Sequence, residues 1–186
     1  MKFAKDYLED LKTALAGLDV PAIEKAISWL KEARDSDRTI YVCGNGGSAS
    51  IASHLVVDML KGASYGREHR FKIISLTDCV ETVTAYGNDV NYECIFVEQI
   101  RNFARKGDVL IAISGSGDSR NVLAAVEYAN GIGCRTIAMT RAGGGALKDM
   151  ANLSLRVPES HMGRLEDGFT VMAHIIAYAF MEHAVD

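Results

Sequence analysis

The chain has 186 residues, enough for one domain that buries most of the surface its unfolded form exposes. Hydrophobic residues make up 48% and charged residues 24%, an ordinary globular balance; a net charge of −4 with no basic run argues against nucleic acid as a main partner. No apolar stretch approaches the roughly 20 residues of a membrane span, so no membrane partner is expected.

The N-terminus, MKFAKDYLEDLK, mixes charges of both signs and lacks an apolar signal core, which predicts a cytoplasmic protein. Phe3, Tyr7, Leu8, Leu11, Leu15 and Leu18 recur at helical spacing. A second helix begins around Asp19-Val20-Pro21, with Asp19 as cap and Ile23, Ala26, Ile27, Leu30 and Ala33 as its inner stripe. Both precede the first strand and have no sheet face waiting for them in sequence order. Residues 1–36 are therefore expected to pack against another copy of the chain.

From residue 38 the pattern alternates. Strands are predicted at RTIYVC (38–43), FKIISL (71–76), DVLIAIS (108–114), CRTIAMT (134–140) and LSLRVP (153–158). Helices fall at 48–62, around 80–86 and 91–104, at 119–133, and from Gly163 to Ala184. Short, continuously apolar strands between helices read as an α/β domain whose parallel sheet is covered on both faces. No internal boundary divides 1–186. The cysteines, Cys43, Cys79, Cys94 and Cys134, lie far apart, and three sit in or beside apolar runs, which predicts free thiols in a reducing compartment.

Two loops at strand ends carry the chemistry. In GNGGS (44–48), Asn45, Gly46, Gly47 and Ser48 lead into a helix; in SGSGDS (114–119), Ser114, Gly115, Ser116 and Ser119 do the same. Each can direct backbone N–H groups and hydroxyls into a small volume at a helix N-terminus, where partial positive charge favours an anion such as phosphate. Neither is a Walker motif or a dinucleotide fingerprint. A single such loop reads equally well as a capped turn; two together favour a phosphate monoester. RAGGGAL (141–147) lacks hydroxyls and reads as structural.

CGNGGSAS, ISGSGDS, AYGND (85–89) and RLEDGFTVMAH (164–174) together resemble the sugar isomerase (SIS) domain family, most closely its bacterial phosphoheptose isomerases. The resemblance covers nearly the whole chain. It implies a five-stranded doubly wound sheet, a homotetramer with active sites between subunits, and Ser48, Ser114, Ser116 and Ser119 around the phosphate. Asn45 and the Asn88–Asp89 pair would help to line the sugar site. The implied reaction takes sedoheptulose 7-phosphate to a glycero-manno-heptose 7-phosphate.

Moving a carbonyl between adjacent carbons through an enediol requires a base and an acid. His54 and Asp58 stand four residues apart on one helical face, and Glu166 and His174 eight apart on another. Each residue alone reads more simply as a surface pair or a bonded core histidine; with two phosphate-type loops the functional reading prevails. The resemblance implies that Asp58 and His174 stand where the heptose isomerases have their base glutamate and acid histidine, and Glu166 where they have glutamine. In some members the positions of His54, Asp58, Glu166 and His174 bind zinc, and two histidines with two carboxylates suit that ion. Gly163 replaces an aspartate found in many relatives. The contrasting expectation is a non-catalytic sugar-phosphate-binding scaffold or regulator, such as the relative that associates with the replication initiator; a third is an isomerase of another sugar phosphate.

Overall fold

The computed structural model describes residues 2–182. Five parallel strands form the centre: β1 (Thr39–Gly44), β2 (Lys72–Ser75), β3 (Val109–Ile113), β4 (Arg135–Arg141) and β5 (Leu153–Val157), in the order β2-β1-β3-β4-β5. The helices are α1 (Phe3–Ala16), α2 (Val20–Asp35), α3 (Gly47–Val57), α4 (Val80–Asp89), α5 (Val97–Phe103), α6 (Arg120–Gly131), α7 (Leu147–Met150) and α8 (Met162–Met181). The α/β class, the five strands and the doubly wound sheet agree with the sequence reading.

Successive strand residues face opposite ways, so one strand feeds two cores. Ile40 and Val42 of β1, with Val109, Ile111 and Ile113 of β3, pack under α2, α3 and α8. Tyr41 and Cys43, with Leu110 and Ala112, pack under α5, α6 and Leu147 of α7. Both faces are dry, which explains the unbroken apolar runs.

The stripe of α2 does not wait for another copy of the chain. Ile23, Ala26, Ile27, Leu30 and Ala33 are buried in the first core, against this chain's own sheet. Strand order explains it: the outer positions of β4 and β5 leave a face that α2 covers by coming before the sheet rather than between its strands. Asp19 caps α2 by accepting from the Ala22 amide at 3.1 Å, with Pro21 in the first turn. In α1 only Ala14 is buried, and Phe3 and Leu8 stay exposed.

Two further departures appear. The helix after GNGGS ends as α-helix at Val57 and continues as a π-turn over Asp58–Gly62, and the predicted 91–104 helix divides into a 3₁₀ turn (Tyr92–Cys94) and α5. The last helix, predicted from Gly163 to Ala184, runs from Met162 to Met181 with Glu182 as its C-cap, and Ala184 lies outside the described residues. Among the described residues no helix is long and apolar enough to cross a membrane. All four cysteines are free thiols: Cys43 and Cys134 are buried, Cys94 is half-buried and Cys79 is exposed.

Candidate active site

In the β1–β3 ladder Gly44 pairs with Ile113, so Asn45 and Ser114 leave neighbouring strands side by side. The chain enters β1, goes outward to β2, and returns across to β3. The crevice between β1 and β3 is therefore the topological switch point, where ligands bind in open α/β sheets. Asn45, Ser48, Ser114, Gly115, Ser116, Ser119 and Glu166 line one cavity of about 280 Å³ there, with Ile113 and Met162.

The 114–119 loop is internally organised. Ser114 Oγ donates to Ser119 Oγ at 3.2 Å, lies 3.4 Å from Ser116 Oγ and accepts from the Gly117 amide at 3.2 Å. The 141–147 loop braces it from behind: the Leu147 amide donates to the Gly117 carbonyl, and the Ala146 amide to Asp118 Oδ1, both at 2.9 Å. In the other loop Gly46 adopts φ +55°, disfavoured for a side chain, and caps α3. Gly47 opens the helix, and a Cβ there would overlap the Glu166 carboxylate. The glycines thus let a second helix approach the loop backbone. Two helix N-termini, α3 and α6, aim at the cavity, an arrangement suited to an anion.

Further along α3, in the π-turn that continues it, and on α8 lies an ionisable cluster. His54 Nε2 is 3.3 Å from Asp58 Oδ2, one turn on. His174 Nε2 is 3.9 Å from that oxygen and 2.9 Å from His54 Nε2. At that separation one imidazole donates to the other, or both face a cation. One donor atom from each of the three falls within 4.8 Å of the others, the spacing a metal ion needs. Glu166 is not brought into this group; its carboxylate stands by Gly47 on the cavity side.

Other predicted residues lie elsewhere. Asn88 donates to Asp89 at 2.8 Å, both exposed at the end of α4, and Asp89 lines a separate shallow cleft with Glu81 and Tyr86. His161 is the N-cap residue of α8 and stacks edge-on against Tyr7. Arg164 is engaged within the chain by Glu159 at 2.5 Å and Asp10 at 3.3 Å. Sequence reasoning missed Tyr92 and Asn121, which hold Asn45: Tyr92 Oη donates to Asn45 Oδ1 at 2.9 Å, and the two asparagine amides pair reciprocally at 2.9 Å. Asn121 lies two residues past Ser119, the one signal that pointed to it.

Comparison with known proteins adds to this geometry. Residues 3–141 match the SIS domain model. The chain is 40% identical over 167 residues to the phosphoheptose isomerase of Citrifermentans bemidjiense, covering 90% of this chain and 86% of that protein. It is 34% identical over 183 residues to the phosphoheptose isomerase of Helicobacter pylori, covering 96% and 94%. The structure of a phosphoheptose isomerase from Francisella tularensis matches with a TM-score of 0.90 at 31% identity, covering 97% of each chain.

Proposed function

The chain belongs to the SIS domain family and, within it, to the phosphoheptose isomerases, and from that premise we propose that it is an aldose–ketose isomerase converting sedoheptulose 7-phosphate to D-glycero-D-manno-heptose 7-phosphate. One observation supports the reading above others: α3 and α8, which lend Ser48 and Glu166 to the serine-lined cavity, carry His54 and His174 further along, and the π-turn after α3 adds Asp58 beside them. Ser48 and His54 are six residues apart on α3, an axial offset of about 9 Å. That offset is of the order of a several-carbon sugar chain, which supports a substrate bound by its phosphate at the cavity with its carbonyl end towards the cluster.

In this mechanism the phosphate sits among Ser48, Ser114, Ser116 and Ser119 and the amides of the two loops, with Gly46, Gly47 and Gly115 giving the backbone its close approach. Asp58 takes a proton from C1 of the ketose while the His174 imidazolium gives one to O2, forming the enediol. His174 then takes the O1 proton and Asp58 returns its own to C2, which leaves the aldose and restores both groups. Glu166, on the cavity side, is available to accept from sugar hydroxyls. His54, Asp58 and His174 are the residues that would hold Zn²⁺, their two imidazoles and one carboxylate fitting its preferred donors. Because zinc takes its ligands deprotonated, a bound ion would stand in for the His174 proton and polarise the sugar's carbonyl and hydroxyl oxygens itself, so the proton transfers of His174 belong to the ion-free site.

A homotetramer also belongs to this reading. His54 is 51% and His174 44% exposed at the side chain, too open to exclude water from an enediol. The apolar Val57, Leu60, Ile175 and Tyr178 are exposed on these same segments, so a second copy seated there would complete the site. A cytoplasmic location fits such a metabolic role. A scaffold or regulator has no use for the convergent acid, base and imidazole.

The test is incubation with ketose phosphates of five to seven carbons in deuterated water, followed by proton NMR. Aldose formation with deuterium beside the carbonyl is expected for the seven-carbon substrate. Absence of exchange with every member of the panel would return the chain to the binding class. Asp58→Asn and His174→Ala should each lower kcat by about a hundredfold or more with little change in phosphate affinity. Zinc below about a tenth of an equivalent in protein fully active in chelator would remove the metal.

A further inference from the structure

Asn45 is the hinge of a hydrogen-bond chain whose direction the structure fixes. The chain starts at a backbone N–H, which can only donate. The Val122 amide, which also reaches the Ser119 carbonyl at 3.0 Å, donates to Asn121 Oδ1 at 2.9 Å. That settles which atom of the buried Asn121 amide is oxygen; the residue is only 2% exposed. The reciprocal pair then has one solution: Asn45 Nδ2 donates to Asn121 Oδ1, and Asn121 Nδ2 donates to Asn45 Oδ1, each at 2.9 Å. Tyr92 Oη, 2.9 Å from Asn45 Oδ1, faces an acceptor and must donate.

The capacity of Asn45 is then almost spent. Its oxygen has two lone pairs, one taken by Asn121 and one by Tyr92. Its nitrogen has two hydrogens, one given to Asn121. The second N–H has no acceptor among the described residues, and Asn45 lines the cavity. We infer that Tyr92 and Asn121 are positioning residues that lock the Asn45 amide so that it offers the bound sugar phosphate a donor and never an acceptor. This rests on the isomerase reading for the identity of the ligand.

Tyr92 is the adjustable member. It is 58% exposed, in the 3₁₀ turn joining α4 to α5. That turn is held to α6 by Arg120 on Glu93 at 2.8 Å, and internally by Asn91, whose side chain accepts from the Cys94 amide at 3.0 Å. Without the phenol proton, Asn45 Oδ1 keeps only its bond from Asn121, and the amide is held less firmly with its free N–H towards the ligand.

Tyr92→Phe keeps the ring and removes only the proton. One neutral hydrogen bond corresponds to about a fivefold change in binding. The expected result is a KM for sedoheptulose 7-phosphate raised about fivefold, kcat within about twofold of the parent and an unchanged thermal midpoint. Asn45→Ala should weaken binding of the same ligand in calorimetry, and adding Tyr92→Phe to it should cost nothing more, because the two act as one unit. An additive loss would mean that Tyr92 touches the ligand itself and would overturn the inference. So would a fall in kcat at unchanged KM, or no change in either.

A readout independent of turnover separates this from the isomerase reading. The side-chain ¹⁵N amide signals of Asn45, assigned by their loss in Asn45→Ala, should shift in Tyr92→Phe but not in Tyr86→Phe. If the parent turns over no sugar phosphate, the isomerase reading fails while the shift still decides the Tyr92 link. Unshifted signals refute that link whatever the activity.

Discussion

A Cβ on Gly163 would stand 2.9 Å from the Tyr7 hydroxyl and 3.3 Å from His161 Cε1. Tyr7 comes from α1 and donates to Asp167 at 2.6 Å, one turn beyond Gly163 on α8. The glycine is therefore the space into which the N-terminal helix puts its phenol. The family resemblance sets an expected aspartate against Gly163, but the contact that fills its place lies near the other end of the chain and no local pattern announces it. Gly163→Asp should expel Tyr7 from Asp167 and lower the thermal midpoint by roughly 3–6 °C, as overpacking of one contact in a chain of this size does. Tyr7→Ala in the same chain should recover part of that loss. A midpoint in Gly163→Asp equal to the parent's would show that α1 does not depend on this contact. Asn121 and Tyr92 were hidden for a similar reason: an exposed tyrosine in a turn and a buried amide inside a helix have no periodicity, and their roles exist only through Asn45.

Among the elements, the most readable were those that bury a continuous face. The stripe of α2 and the apolar strands fell where their periodicity placed them, within a few residues. The short α7 sits in a glycine-rich loop where four residues cannot display a period. The π-turn at Asp58–Gly62 keeps the same side-chain pattern as an α-helix for its first turn, so the sequence reads through it. How α1 docks is equally invisible, because polar contacts secure it to α8. Arg164 lies 5.4 Å over the Tyr7 ring and bonds both Asp10 of α1 and Glu159. The Arg164 guanidinium, with the His161 and Ser160 amides, holds the Glu159 carboxyl down at about 2, against the opposing effect of desolvation. Because this folded carboxyl titrates below its unfolded value, the link is fully present above the ordinary carboxylate range and is lost only as pH falls towards about 2. Pepsin should thus leave α1 intact at about pH 4 and cut it increasingly nearer pH 2. In Glu159→Gln, α1 should already be cut faster at the higher pH. Equal cleavage of the two proteins there would mean that Glu159 does not help to secure α1.

For the whole molecule, the sequence could place two serine-bearing loops after two strands but could not say that those strands are neighbours. Loops 44–48 and 114–119 are separated along the chain by β2 and the helices around it; parallel pairing of β1 with β3 puts them side by side. The same sheet makes a global claim that its thiols can test. Cys43 in the middle of the sheet is fully buried, and desolvation pushes its thiol up to about 12. Cys134, at the entry to β4, is pushed up to about 11 by burial and the nearby Asp108 carboxylate. Since only the thiolate reacts, neither is modified from the folded state at about pH 8, whereas the exposed Cys79 is. Both buried thiols belong to the core beneath α5 and α6. If that core opens as one cooperative unit, a disulfide reagent at fixed protein concentration should modify Cys79 first. Cys43 and Cys134 should follow much more slowly, with rates that rise in parallel as urea is added. Cys134 modified far faster than Cys43, with a shallower dependence on urea, would mean that β4 opens alone. The wall carrying the 141–147 brace would then be mobile, and a phosphate loop leaning on it could not be held rigidly enough to orient a sugar.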